Sequence, residues 1–121
     1  MKIVFIAGPY FGDGRPEAIQ ANIARAETYQ VALANLGIGF FCPHNHTHRF
    51  EIKAKQGEGF YRTLDMTFIE RTANAILAIP GWETSNGARA EIEFAKRKGL
   101  PIFYPKSPDD LSEVIAWANE I

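Results

Sequence analysis

Two carboxylates in this chain sit where a helical pattern turns them inward. Glu91 lies in Ser85-Asn86-Gly87-Ala88-Arg89-Ala90-Glu91-Ile92-Glu93-Phe94-Ala95. It falls three residues after Ala88 and four before Ala95, on the edge of an apolar stripe of Ala88, Ile92, Ala95 and Gly99. Glu93, by contrast, has Arg89 and Arg97 at four-residue spacings, the pattern of a solvated ion-pair ladder. The small neighbours of Glu91 leave room for a ligand, and the start of its helix two turns back adds positive potential that favours the anion. An edge residue reaching for solvent would show the same spacing. Asp65 raises the same question on the preceding helix, with Tyr61, Leu64, Phe68 and Ile69 around it at helical spacing. Two carboxylates from consecutive helices can serve one site as nucleophile and proton donor, because unequal surroundings push their pKa values apart.

Other candidate groups gather on three loops. Gly8-Pro9-Tyr10-Phe11-Gly12-Asp13-Gly14-Arg15 is rich in glycine, so its backbone amides could approach a phosphate while Arg15 clamps it. Its spacing is neither that of a P-loop nor that of a dinucleotide fingerprint, and a flexible loop with a solvated arginine reads the same way. Pro43-His44-Asn45-His46-Thr47-His48 alternates three imidazoles, which could hold a metal ion with a distant carboxylate, contact a substrate, or lie exposed. With no further histidine, substrate contact by His44 is favoured over a metal, and no metal or cofactor is expected. Pro80 to Gly87 carries Trp82, able to stack on a base or to pack a loop, and Ser85 or Asn86, either able to cap the helix that bears Glu91.

These loops must be positioned by something, and the hydrophobic pattern says what. Ile3 to Ala7, Ile38 to Cys42, Ala75 to Ile79 and Leu100 to Tyr104 are short apolar runs rich in β-formers, the mark of strands buried on both faces. Between them the spacing predicts helices over Pro16 to Leu36, Gly59 to Thr72 and Ser85 to Lys98. A last helix starts at Ser107-Pro108, and Gly37 and Gly99 act as terminators. The stripes are Ile19, Ile23, Ala26, Gln30, Leu33 and Ala34 in the first helix and Phe60, Leu64, Phe68 and Thr72 in the second. Residues 43 to 58 lack periodicity and read as one long loop. Strand and helix in alternation make a single α/β domain over 1–121, with a mostly parallel sheet of four to five strands between helices. Ligands of such sheets bind at the carboxyl ends of the strands, where all three loops lie.

Composition narrows the partner. The chain has 121 residues, 22% of them charged, and a formal net charge of -1, so no global field favours nucleic acid or an anionic membrane. A small molecule is the expected ligand. The single cysteine, Cys42, makes no internal disulfide, fits a reducing compartment and lies in an apolar run as a core residue. No signal peptide or membrane span is evident, so a cytoplasmic location is expected.

The residues also resemble a known family. Phe5-Ile6-Ala7-Gly8-Pro9, the helix with Asp65, Ile79-Pro80-Gly81-Trp82, and above all Ser85-Asn86-Gly87-Ala88-Arg89-Ala90-Glu91 with Ala95 and Gly99-Leu100-Pro101-Ile102 are similar to the nucleoside 2-deoxyribosyltransferase superfamily, nearest its small bacterial and phage members. The likeness covers nearly the whole chain in the same order. It implies a flavodoxin-like Rossmann fold, a three-layer sandwich, that cleaves the N-glycosidic bond of a nucleoside or nucleoside 5′-monophosphate. The glutamate that Glu91 matches attacks the anomeric carbon, and the aspartate that Asp65 matches assists at base or sugar. Gly8, Pro9, Tyr10, Arg15, His44, Trp82, Ser85, Asn86 and Gly87 are the expected substrate contacts, and a homodimer or larger assembly is implied.

Two departures shape the expectation. Transferases of the superfamily carry an aspartate six residues before the glutamate, where this chain has Ser85. The nucleotide hydrolases have serine there, close to the 5′-phosphate. Many relatives also carry a tyrosine where this chain has Phe5, and Tyr10 is the neighbouring residue able to supply a hydroxyl instead. The remaining alternatives are a nucleotide-binding module without catalysis and a histidine-based metal hydrolase.

Overall fold

The computed structural model describes residues 1–120. Four strands, β1 (Ile3–Ala7), β2 (Gly39–Phe41), β3 (Ala75–Ala78) and β4 (Ile102–Phe103), form one sheet in the order β2-β1-β3-β4, and every neighbouring pair is parallel. The long helices are α1 (Pro16–Asn35), α4 (Glu58–Thr72) and α5 (Asn86–Arg97). The connections between parallel strands require crossovers, and these helices provide them on both faces.

Each face has its own core. Val4, Ile6, Leu77 and Ile79 point to one side, against Ala26, Tyr29 and Leu33 of α1 and Leu111 and Val114 near the C-terminus. Phe5, Ala7, Ile76 and Ala78 point to the other, against Ile69 of α4 and Ala88, Ile92 and Ala95 of α5. The period-2 alternation of β1 and β3 thus feeds two helical layers, and the fold is a three-layer α/β sandwich of flavodoxin-like type.

The structure redraws several local expectations. Residues 43 to 58 are not one long loop: they carry two four-residue helices, α2 (Pro43–His46) and α3 (Phe50–Lys53). The last helix, α6, runs only from Ser112 to Ala118. Ser107-Pro108 belongs to a turn, closed by Asp110 N donating to Ser107 O (3.0 Å) and by Lys106 N donating to Asp110 Oδ2 (2.8 Å). In α1, Asn22 and Tyr29 are buried where Gln30 and Ala34 were expected. In α4 only Ile69 is fully buried, while Phe60 is 49% exposed and Thr72 is also exposed. That helix lies at the margin of the sheet and has one side left for the site.

Gly37 and Gly99 close α1 and α5 with φ of 71° and 78°, as a terminating glycine allows. Gly8 serves a different end: a Cβ there would meet Ile79 Cγ1 at 2.4 Å, so the β1 loop can press onto the end of the neighbouring strand only without a side chain. No helix among the described residues is long and apolar enough to cross a membrane.

Candidate active site

β1 is the point where the chain turns from building one side of the sheet to building the other, with β2 and β3 as its two neighbours. The crevice outside the carboxyl ends of such strands is the general ligand site of open parallel sheets. Here it holds a cavity of about 690 Å³, a volume suited to a nucleotide-sized ligand. Its walls come from the loop after β1, the short helices after β2, one edge of α4 and the first turns of α5.

Asp65 and Glu91 both line it. Their carboxyl groups lie against each other within hydrogen-bonding reach. Glu91 is 8% exposed. Its pKa is pushed well above the usual carboxylate range, first by loss of hydration and then by the charge of Asp65, with Arg62 opposing. Burial also pushes Asp65 up, to about 6, and the hydrogen bond from Glu91 works against that rise. Both carboxyls are raised and their titrations are linked, so over an intermediate pH range the pair as a unit carries one proton. Asp65 Oδ1 is shut off from solvent and takes no hydrogen bond from an N–H or O–H of the described residues.

The N-terminus of α5 faces the same space through Ser85, Asn86 and Gly87. Ser85 is the N-cap: its Oγ accepts from Ala88 N at 3.2 Å, which leaves its O–H free to donate. The N–H groups of Asn86 and Gly87, at the first two helical positions, have no carbonyl partner within the helix. Together these donors suit an anion. Asn86 is turned partly outward and its Oδ1 bonds the guanidinium of Arg89.

Gly8, Pro9, Tyr10 and His44 complete the opposite wall. The Tyr10 hydroxyl does not reach toward Glu91 as a stand-in for the group absent at Phe5. It accepts from Arg49 N (2.9 Å) and donates to the Glu51 carboxylate (2.9 Å), and burial pushes its pKa up to about 12. Phe5 is in the core, stacked on Phe41 with ring centres 5.9 Å apart. Arg49 adopts φ 58°, uncommon for a residue with a side chain, and pairs with Glu51 at 2.8 Å. Tyr10 thereby ties the short helices down beside the cavity.

Two expected contacts lie outside the cavity wall. Arg15 is turned to solvent and paired with Asp13 at 2.7 Å, two residues away on its own loop. Trp82 packs on Tyr104 (5.4 Å between rings) and against the α4/α5 core, the loop-packing alternative of its two readings. The three histidines do not converge. His44 is buried with Nε2 2.7 Å from Pro9 O, whereas His46 lies beside the stacked rings of Phe41 and Phe68, 5.3 Å from each. Among the described residues no group of three or more His, Cys, Asp or Glu could hold a metal ion. Cys42 is buried and its thiol pushed up to about 12 by burial, so it is not poised as a nucleophile.

The structure adds Tyr61 and Arg62, which line the cavity on the α4 edge of Asp65. Tyr61 has a buried hydroxyl without a partner, and Arg62 is bonded to Glu58 at 2.9 Å. Their spacings of four and three residues before Asp65 are the signal that could have found them.

Comparison with curated proteins finds no match. The family model described as "Domain of unknown function (DUF4406)" matches residues 2–104, most of the chain, and the protein belongs to that family.

Proposed function

We propose that this protein cleaves the N-glycosidic bond of a nucleoside or nucleoside 5′-monophosphate, releasing the base to water or exchanging it, with Glu91 as nucleophile and Asp65 as its acid–base partner. The observation that carries the reading is the buried contact of these two carboxyl groups in the wall of one nucleotide-sized cavity. The donors of Ser85, Asn86 and Gly87 support a 5′-phosphate at the far end. The resemblance to nucleoside 2-deoxyribosyltransferases supports the same assignment of roles, and the family description itself carries no chemistry.

The shared proton makes the pair suited to the task. As the bond from C1′ to the base nitrogen stretches, positive charge develops on the sugar, and an anionic Glu91 beside it becomes favourable. The proton passes to Asp65, which donates it to the departing base as the bonding pair moves to the base nitrogen. Glu91 then closes on C1′ as a glycosyl ester. Water attacks C1′, ionised Asp65 takes its proton, and the Glu91 carboxylate leaves. In exchange, the nitrogen of a second base takes the place of water. A cavity completed by a second copy of the chain belongs to the same proposal.

A second reading, a nucleotide-binding module without turnover, draws on Phe5 and on the engagement of the Tyr10 hydroxyl with Arg49 and Glu51. Incubation with a panel of nucleosides and monophosphates, followed by chromatography for free base, separates the two. Base release that disappears in Glu91→Gln supports the enzyme; binding without release supports the module.

A further inference from the structure

Among the described residues the cavity wall carries four acids, Glu51, Glu58, Asp65 and Glu91, and a single Lys or Arg, which is Arg62. Glu51 is engaged by Tyr10 and Arg49, and Asp65 and Glu91 hold each other. Arg62 is committed less firmly. It bonds Glu58 at 2.9 Å across one helical turn, with 44% and 84% of the two side chains exposed, and an exposed pair of that kind contributes little. Its charge is also felt at Glu91, where it opposes the upward push of burial and of Asp65. An arginine that lines the cavity and acts on Glu91 has its guanidinium on the cavity side of α4.

The helices set the level at which it stands. α4 leads into β3 and α5 leads out of it, so both start at the carboxyl ends of the strands, run the same way and pack on each other. The contact of Asp65 with Glu91 fixes their relative height. At about 1.5 Å of rise per residue, Arg62 lies about 4–5 Å and Glu58 about 10 Å from Asp65 toward the start of α4, while Asn86 and Gly87 lie about 6–8 Å from Glu91 toward the start of α5. Arg62, whose side chain turns toward Glu58, is thus level with the first turn of α5, where the Ser85 O–H and the free N–H groups face the same cavity.

We propose that Arg62 is a specificity-determining residue: it exchanges the Glu58 carboxylate for the 5′-phosphate of the bound ligand, closes on it from α4 across from the start of α5, and so selects nucleoside monophosphates over nucleosides. The ligand class rests on the reading above, but the selection needs no turnover. Phosphate wins the exchange on charge, with close to two negative charges against one, and it takes two parallel N–H bonds from the planar fork. Glu58 is largely in water already, so its release costs little hydration and loses only an exposed ion pair. Without the exchange a phosphate would enter a wall of four acids whose one Arg is already neutralised.

The test is calorimetric binding of adenosine, guanosine, cytidine and thymidine, of their 5′-monophosphates, and of inorganic phosphate, to the wild-type protein, Arg62→Gln and Glu58→Gln. For at least one base the wild type should bind the monophosphate at least about tenfold more tightly than the nucleoside, the worth of hydrogen bonds to a charged group. Arg62→Gln should cut that advantage by about tenfold. Glu58→Gln, which removes the competitor, should raise it by about two- to fivefold. Nucleoside affinity should stay within about twofold in both variants. The opposite signs are the decisive readout, because a pair that only steadies α4 is broken equally by either change. Losses in both variants, an advantage unaltered in Arg62→Gln, or no monophosphate binding at all overturns the proposal. So does inorganic phosphate bound as tightly as the nucleotide, which would make this a site for free anions. If Arg62→Gln fails to fold, Glu58→Gln decides alone, and a monophosphate advantage that is unchanged or smaller overturns it. Opposite shifts without any base release leave the Arg62 assignment standing and remove the glycosidase reading, while base release with the phosphate advantage untouched by both substitutions does the reverse.

Discussion

Asp65 and Glu91, twenty-six residues apart on two different helices, place their carboxyl groups in contact at the carboxyl end of the parallel sheet, where both are pushed above the ordinary carboxylate range. Two acids so close and so dry cannot both ionise readily, and the pair holds a proton where an isolated carboxylate would be charged.

Stability should therefore fall as pH rises. The ordinary values are 3.8 for Asp65 and 4.5 for Glu91, and both groups lie higher in the folded protein. Above about pH 4 the native state binds more protons than the unfolded chain. The contribution of the pair is fully present below that point and is lost as pH rises through about 6 for Asp65 and through the raised titration of Glu91. Glu91→Gln, which cannot titrate, should flatten this slope and raise Tm at pH 8 by about 3–6 °C. A thermal series from pH 4 to 9 on both proteins checks it, and parallel curves would count against a buried, coupled pair.

Activity should need the one-proton state of the pair. The rate of base release is expected to rise through about pH 6, as the first proton leaves, and to fall again once the second is lost. Asp65→Asn should lower kcat/KM by roughly 10²–10⁴ and abolish the bell shape. A profile unchanged by that substitution would remove Asp65 from the proton path.

The architecture was legible in the sequence because each strand is a short apolar run and each long helix has a stripe. The same patterns placed Asp65 and Glu91 on apolar edges, and the structure brings them together. That Arg15 and Trp82 lie outside the cavity wall is not legible in the sequence for a common reason: residues on irregular turns carry no periodic signal of direction. Asp13, two residues away, captures Arg15, and Tyr104, just past the carboxyl end of β4, captures Trp82. The helices in residues 43 to 58 are not legible in the sequence because four residues are too few to show a period. Tyr61 read as part of an apolar face, since spacing cannot distinguish a ring that packs from a hydroxyl that lines a cavity.

Ser85 joins helix capping to ligand binding. Ser85→Ala removes the acceptor for Ala88 N and should cost about 1 kcal/mol of stability. If its O–H meets a 5′-phosphate, affinity for monophosphates should fall roughly tenfold while affinity for the corresponding nucleosides is unchanged. Calorimetry with both ligand classes measures the difference, and equal losses would place the phosphate elsewhere.

Tyr10 anchors the segment around α3 through Arg49 and Glu51. Tyr10→Phe should leave the sheet intact and destabilise that segment locally by about 1–2 kcal/mol. Hydrogen exchange should then speed up at residues 47–54 but not in α5. Uniform acceleration, or none, would show that the hydroxyl is not the anchor.

The central claim is a covalent bond from Glu91 to the anomeric carbon. The direct measurement is peptide mass spectrometry after incubation with a 2′-deoxy-2′-fluoro nucleoside 5′-monophosphate, whose fluorine slows breakdown of the ester. The account predicts the added mass of the sugar phosphate on the peptide containing Glu91, and no adduct in Glu91→Gln. Release of base with Glu91 unmodified, or an adduct on any other side chain, would contradict it.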